Sequence, residues 1–295
     1  IHTMTLNTNY ERVDALTHVS DQLYPILEEP VNGETRARRT MRLRIGTMAI
    51  AMRDGATPEE AGTLFDRHLA YVLRNVDYDV YDTYRTPAEK LPDITVPEDL
   101  ANLINQYSDT LRRTYLSDSS TRESDAIHAL HLTALAVPYA RAHYPDLLMG
   151  RVGAYGPVHD FPEGITGDVP TFKISENGRR LKDLATENAI RYLWSHYGTE
   201  WPELIELIEA YESMSDREAA FVKTDDKNQP GYTHLRNDAY ALRVVHDVQS
   251  VEEFYVQAEA NTFQTLLYAS QFTLALEDKD VLNERIAAFL VAQNE

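Results

Sequence analysis

Hydrophobic residues recur every three or four positions along most of the chain, the spacing of helices with one buried face. The first such segment runs from Tyr10 to Glu29 and ends before Pro30. A second predicted helix covers residues 34–53, and a third starts at Thr57, a favourable N-cap. Residues 78–96 lose this periodicity and gain prolines, so they are interpreted as a connection.

The remaining periodicity predicts helices over residues 98–117, 125–143, 178–197, 201–213, 215–226, 234–246, 250–276 and 280–292. Residues 229–231 are interpreted as a break. No stretch alternates apolar and polar residues as a half-buried strand does, so the sequence predicts an all-α fold. We expect a helical bundle over residues 98–250, an N-terminal helical extension over 1–97, and C-terminal helices over 251–295 that pack on the bundle.

The chain of 295 residues has a formal net charge of −19 and a pI near 4.9. This argues against general nucleic-acid binding, which needs cations to neutralise phosphates, but allows one small anionic substrate. The sequence has no run of about 18 apolar residues, and residues 1–5 do not resemble a signal peptide. We therefore expect a cytoplasmic protein that does not span a membrane.

Two local clusters have both a structural and a functional interpretation. The second predicted helix carries five arginines in its first half: Arg36, Arg38, Arg39, Arg42 and Arg44. They could form a nucleic-acid arm, but in so acidic a chain a structural or partner-contacting role is favoured. The tyrosines between residues 78 and 84 could stack on a base, although tyrosines in a connecting segment are more often packing residues.

The stretch of residues 157–171 concentrates reactive side chains, because His159, Asp160, Glu163 and Asp168 lie there beside turn-forming glycines and prolines. The His-Asp pair offers one nitrogen and one oxygen ligand. This mixed set suits one divalent ion such as Zn, Mn, Co or Fe, with Mg also allowed. Since the chain has no cysteine, every further ligand must be His, Asp or Glu.

Two further residues complete a set of four ligands. His128 lies 31 residues before His159 on a predicted helix, and Asp226 lies 66 residues after Asp160 on another. Two imidazole nitrogens and two carboxylates can fix one divalent ion and leave positions open for water and substrate.

The order His, His-Asp, Asp on predicted helices is similar to that of the HD-domain metal-dependent phosphohydrolases. The segment from His159 to Thr171 resembles the His-Asp-x-x-Glu-x-x-x-Gly-Asp-x-Pro segment of the bacterial HD-type 5′-deoxynucleotidases, and Val222–Asp226 resembles their Val-Lys-x-x-Asp segment. The resemblance covers about residues 108–245. It implies an HD-type helical bundle whose metal ligands are His128, His159, Asp160 and Asp226.

Two of these ligands have local alternatives, His131 one helical turn from His128 and Asp225 next to Asp226. In the family, an arginine lies about 15 residues before the first His and contacts the substrate phosphate. Arg113 stands 15 residues before His128. A Glu-Ser pair before the first His, matched here by residues 123–124, also favours His128, and the spacing from the Val-Lys pair favours Asp226.

The implied activity is removal of the 5′-phosphate from deoxynucleoside monophosphates by a metal-activated water. Asp160 would act as a ligand, and Glu163 would act as general acid or would steer the water. The guanidinium of Arg113 would bind phosphate oxygens. By resemblance, Asp168 would accept a hydrogen bond from the sugar 3′-hydroxyl and crowd a 2′-hydroxyl.

The sequence departs from the family at two places near the site. Residues 127–129 read Ile-His-Ala where Glu-His-Ser is common, and Thr114 stands where an aromatic residue is usual. Both changes leave the predicted metal ligands in place but alter the residues around the pocket. The resemblance therefore does not predict which nucleotide is preferred. Arg179, Arg180 and Lys182 are candidates for phosphate contacts, and Glu187 is a candidate for orienting Arg113.

Two alternative functions remain. A deoxynucleoside triphosphate triphosphohydrolase of the same superfamily would need more cations than Arg113 around the site. A nucleotide-sensing or partner-binding protein with a slow site would use the first hundred residues for its main task. The apolar helices outside the central bundle could form the interface of a homodimer, as in relatives of the family.

Overall fold

The computed structural model of the protein describes residues 8–116 and 118–292. Helices dominate this part of the chain, which confirms the predicted all-α class. None of the described helices combines the length and the hydropathy that a bilayer crossing requires. The first five residues, on which part of the localisation expectation rests, lie outside the described residues.

The helices are α1 (Asn9–Glu28), α2 (Arg36–Arg53), α3 (Pro58–Val72), α4 (Glu98–Ser108), α5 (Asp125–His143), α6 (Met149–Val158), α7 (Glu163–Thr166), α8 (Glu176–Tyr197), α9 (Pro202–Glu212), α10 (Arg217–Asp226), α11 (Gln229–Arg236), α12 (Tyr240–Val244), α13 (Val251–Ala269) and α14 (Thr273–Ala292). Two antiparallel hairpins pair β1 (Pro30–Val31) with β2 (Glu34–Thr35) and β3 (Leu111–Tyr115) with β4 (Arg122–Ser124). A 3-10 helix, Asp79–Tyr84, lies in the predicted connection.

The central helix of the fold is α5, whose residues from Asp125 to Ala140 are all buried. Around it pack α1, α4, α6 and α10. Helix α6 lies against both α3 and α5, and glycines allow the close approach to α3. A Cβ on Gly62 would lie 1.8 Å from the carbonyl oxygen of Gly150. This contact fixes α6, which ends one residue before His159.

The N-terminal helices share one hydrophobic core with the central helices. This core includes Leu16 of α1, Met41 of α2 and Phe65 of α3 together with residues of α5, α6 and α10. Tyr81, from the tyrosine-rich connection, is fully buried, and its hydroxyl lies 2.8 Å from Nε2 of His143. These contacts support the packing interpretation of the tyrosines.

The basic first half of α2 forms ion pairs within the protein. Arg38 pairs with Asp109 at 2.7 Å, and the buried Arg44 pairs with Asp93 at 3.3 Å. Arg42 contacts Glu34, which lies in the hairpin that precedes the helix. These pairs support the structural interpretation of the five arginines.

The prediction of one helix over residues 98–117 is wrong, as is the expectation that no strand forms. Helix α4 ends at Ser108, and β3 then pairs with β4. Pairing between two separate segments leaves no trace in local apolar periodicity, which explains the error. The hairpin leads directly into α5, since the Asp125 N–H donates to the Thr110 carbonyl at 2.9 Å.

The chain between residues 229 and 246 also differs from the prediction. Residues 229–231, predicted as a break, start α11, because Pro230 occupies the first helical turn, where its missing N–H leaves no bond unmade. The helix predicted over residues 234–246 is divided in two, since Asp238 and Ala239 adopt left-handed φ angles of 52° and 59°. The early start of α11 places Gln229 in the interior.

Candidate metal centre

Three helices bring a compact group of metal-binding side chains together. His128 lies in the first turn of α5, which begins after the N-cap Ser124. His159 and Asp160 directly follow α6, and Asp226 is the last residue of α10. The ligand atoms of these four residues all lie within 4.8 Å of one another, and both imidazoles are buried. We call this group the metal cluster.

The separations within the metal cluster match those of a coordination shell. His128 Nε2 lies 3.0 Å from His159 Nε2 and 3.0 Å from Asp226 Oδ1. His159 Nε2 lies 3.0 Å from Asp160 Oδ2 and 3.4 Å from Asp226 Oδ1. Two ligands about 2.1 Å from a common ion lie about 3.0–3.4 Å apart when they subtend about 90–110°. Little movement is needed for all four to bind one ion.

Both imidazoles turn their Nε2 atom toward the cluster. His159 Nδ1 donates to the Gly156 carbonyl, and His128 Nδ1 donates to Oε1 of Gln229, each at 2.8 Å. In a neutral imidazole the other nitrogen, Nε2, then carries a lone pair. Two lone pairs and two carboxylates that converge on one point repel each other unless a cation lies between them. The donor set therefore fits one divalent metal ion with nitrogen and oxygen ligands.

Burial and neighbouring charges set the protonation of the cluster. Burial lowers the pKa of His128 to about 4, so this imidazole is neutral near pH 7. Burial also acts to lower the pKa of His159, but Asp160 and Asp226 outweigh it and raise this pKa well above its usual value. A metal ion at the cluster would therefore displace the proton of His159.

Arg112 of β3 fills a second acidic group beside the metal cluster. Its Nη1 lies 2.9 Å from Asp160 Oδ2, 3.4 Å from Asp125 Oδ1 and 3.9 Å from Glu163 Oε2. These three carboxylates also have the spacing of a metal site. Because the guanidinium already lies among them, Arg112 supplies positive charge immediately beside the ligand Asp160.

Glu163, the first residue of α7, retains its proton near neutral pH. Burial and then the charge of Asp160 raise the pKa of its carboxyl to about 8. Lys182 Nζ donates to Oε1 at 3.3 Å, whereas Oε2 has no hydrogen-bond partner among the described residues. A protonated carboxyl next to the cluster is positioned to act as a proton donor.

Residues 104–265, more than half of the chain, match the family model of the HD domain. The chain belongs to the HD-domain family. A solved structure of a predicted metal-dependent phosphohydrolase from Magnetospirillum magnetotacticum MS-1 is similar in fold, with a TM-score of 0.50 and 21% sequence identity. The alignment covers 65% of this chain and 91% of that one. Among curated proteins, no sequence matches the chain significantly.

The HD-domain fold brings the four residues predicted as ligands into one group, while the two local alternatives lie outside it. His131 turns away from the cluster, and its Nε2 lies 2.8 Å from Oγ of Ser20 in α1. Asp225 is buried but does not join the group. The positions of the four side chains thus suit one common ion.

The two residues predicted to bind substrate lie at the edge of the cluster. The backbone N–H of Arg113 donates to Asp168 Oδ2 at 3.1 Å, and the Arg113 side chain is exposed. The side chain of Arg112 reaches the cluster instead, because successive side chains of a strand point to opposite faces. A helical interpretation of this segment could not reveal that difference. Glu187 pairs with Arg191 at 3.8 Å, so the structure does not support its predicted contact with Arg113.

Two cavities adjoin the metal cluster, and Asp226 and Lys227 line both of them. The first cavity lies between β3, the loop after α7, and helices α10–α14. Its lining includes Arg112, Arg113, Asp168 and Lys279, and its apolar side includes Phe172, Leu242, Phe254 and Ile286. The second cavity, of about 620 Å³, lies between α8, α9 and α13 and is lined by both lysines and carboxylates.

Gln229 is a buried partner of the cluster that the sequence analysis missed. Its Oε1 accepts from His128, and its Nε2 lies 3.2 Å from Glu123 Oε1 and also contacts His131. The Gln229 amide turns its oxygen to His128 and its NH2 group to Glu123, an orientation that makes both hydrogen bonds. It thereby holds His128 in the tautomer that is protonated on Nδ1. The proline that follows Gln229 was the available signal, since it is favoured in the first turn of a helix.

We expect Gln229→Ala to weaken Mn or Co binding by about 10- to 100-fold, because His128 loses the acceptor that fixes its ring. Isothermal titration calorimetry of the purified protein measures this affinity. Gln249→Ala, in the exposed loop before α13, is the matched control and should bind metal as the unsubstituted protein does. Unchanged affinity in Gln229→Ala would contradict the role given to this amide.

Proposed function

We propose that the protein is a metal-dependent phosphohydrolase that removes the 5′-phosphate from nucleotides, with deoxynucleoside monophosphates as its preferred substrates. The observation that carries the proposal is the convergence of two imidazole Nε2 atoms and two carboxylates beside Arg112 and Glu163, whose carboxyl pKa burial raises to about 8. The structural relative is described as a predicted metal-dependent phosphohydrolase, and the donor set found here supports that reaction class for this chain.

The metal cluster would hold one divalent ion, such as Co, Mn, Zn or Fe, with Mg also allowed. Such an ion supplies Lewis acidity toward a phosphate oxygen and lowers the pKa of a water molecule. Arg112 presents its guanidinium beside Asp160, where it can bind non-bridging phosphate oxygens in a bidentate manner. Glu163 can donate its proton to the sugar oxygen as that oxygen leaves. We thus give Arg112 the phosphate-binding role that the sequence analysis gave to Arg113.

We assign the nucleoside part of such a substrate to the apolar side of the first cavity. Asp168 lines it and has a carboxylate oxygen left to accept a hydrogen bond from the sugar 3′-hydroxyl, the role that the family resemblance implies. Phe172 lies 5.3 Å from the ring of His246 and 6.4 Å from that of Phe254. These rings offer apolar surface to a nucleobase.

A deoxynucleoside triphosphate triphosphohydrolase is the second candidate, because the second cavity is lined by cations other than Arg113, namely Arg179, Lys182, Lys223 and Lys227. The three lysines, however, already pair with carboxylates at 2.8–4.0 Å. These pairs leave less positive charge than three phosphate groups would need, so monophosphates are the first choice.

We also propose a homodimer, in line with the sequence expectation. Helix α13 leaves Phe263 and Leu267 76% and 90% exposed. Apolar side chains so exposed on one helix suit a surface that contacts a second copy of the chain.

We expect the protein to release inorganic phosphate from deoxynucleoside monophosphates in Mn or Co, and His159→Ala to abolish this release because the metal cluster loses a ligand. His196→Ala, on the exposed surface of α8, should retain full activity. The assay should include ribonucleotides and triphosphates as substrates. Tripolyphosphate release from triphosphates alone would favour the second candidate, and tight nucleotide binding without turnover would favour a sensing protein.

We expect Arg112→Ala to lower kcat/KM by about 10²- to 10³-fold, because a preorganised cation beside the transferred phosphate is lost. The exposed Arg113 should matter less, so that Arg113→Ala lowers kcat/KM by less than about tenfold. Steady-state kinetics measures kcat/KM for both variants and for Arg112→Lys. The metal affinity of each variant is measured in parallel. A larger loss in Arg113→Ala than in Arg112→Ala would restore the sequence-based assignment.

A further inference from the structure

Lys279 of α14 is a buried lysine that lines the first cavity. The residue is 6% exposed, and its Nζ has no hydrogen-bond partner among the described residues. It lies beyond residue 265, where the match to the HD-domain family ends. Burial of an ammonium group without a hydrogen-bond partner is unfavourable. An anionic ligand that pairs with it removes this cost, and its binding free energy becomes more favourable.

The side chain lines the first cavity, near the metal cluster. Lys227 and Asp226 line the same cavity, and their charges both act on Lys279. Burial and the charge of Lys227 lower the pKa of Lys279 to about 8, so the ammonium form still predominates at pH 7. Two lysines at this place therefore carry positive charge into one cavity.

The charges of Asp226 and Asp280 act on Lys279, but neither carboxylate hydrogen-bonds to its Nζ. Asp226 Oδ2 already pairs with Lys227 at 2.8 Å, and Asp226 Oδ1 lies 3.0 Å from His128 in the metal cluster. A divalent ion at the cluster would engage Asp226 further and leave more uncompensated positive charge. The part of the cavity wall that α14 forms therefore favours an anionic ligand.

We propose that Lys227 and Lys279 form an anion subsite in the first cavity, and that it binds the phosphate group of the substrate next to the metal cluster. Lys279 is the contact supplied by the C-terminal helix. The inference rests on the proposed phosphohydrolase function for the identity of the anion. The subsite favours a phosphate monoester dianion over the uncharged nucleoside, because two ammonium groups face the phosphate.

The test uses inorganic phosphate as the probe and the full chain with divalent metal removed by chelation. Calorimetry should show phosphate binding that weakens by at least about tenfold in Lys279→Met, the loss expected for a hydrogen bond to a charged group. The melting temperature of ligand-free Lys279→Met should equal or exceed that of the unsubstituted protein, since the variant no longer buries an unpaired charge. Lys90→Met, on the surface, is the matched control and should change neither quantity.

Lys279→Gln serves as a second variant in case Lys279→Met does not fold. Unchanged phosphate affinity in a folded Lys279 variant would overturn the proposal, and so would a lower melting temperature with unchanged affinity, which would indicate a structural lysine. Phosphate binding that depends on Lys279 in a protein that hydrolyses no nucleotide would support the subsite while contradicting the proposed function. Nucleotide turnover without such dependence would contradict the subsite alone.

Discussion

The arrangement on which the site depends is the pair of hydrogen bonds that fix the two imidazoles. The Gly156 carbonyl and the Gln229 amide oxygen each accept from an Nδ1, so both Nε2 atoms face one another at 3.0 Å with two carboxylates beside them. Such a group is electrostatically unfavourable without a cation, because lone pairs and negative charges converge in a buried place. The fold holds this arrangement through the packing of α5, α6 and α10 around one core.

Cationic side chains pair with carboxylates around the metal cluster of this acidic chain, whose net charge is −19. Arg112 lies among three carboxylates, and Lys182 and Lys227 pair with Glu163 and Asp226. These pairs keep the buried acidic groups compatible with folding, and the same cations are available to a phosphate. The cations beside the metal cluster are therefore consistent with one small anionic substrate.

The sequence predicted the helical class and the four clustered residues because both depend on local signals, apolar periodicity and a short motif with fixed spacing. It missed features that depend on contacts between distant segments. Pairing of β3 with β4 decides that Arg112 rather than Arg113 reaches the cluster, and the start of α11 at Gln229 decides which amide holds His128. No sequence pattern indicated that Lys279 lines the first cavity, since only the packing of α14 on α11 and α13 brings it there.

The central claim is that the four clustered residues bind one metal ion through both imidazoles, and X-ray absorption spectroscopy of the Co-loaded protein tests it most directly. The account predicts a first shell of nitrogen and oxygen atoms only, near about 2.1 Å, with the multiple scattering of two imidazoles. The spectrum of His128→Ala should retain the multiple scattering of one imidazole. A spectrum with oxygen ligands alone would contradict the account, because it would place the ion among Asp125, Asp160 and Glu163 instead.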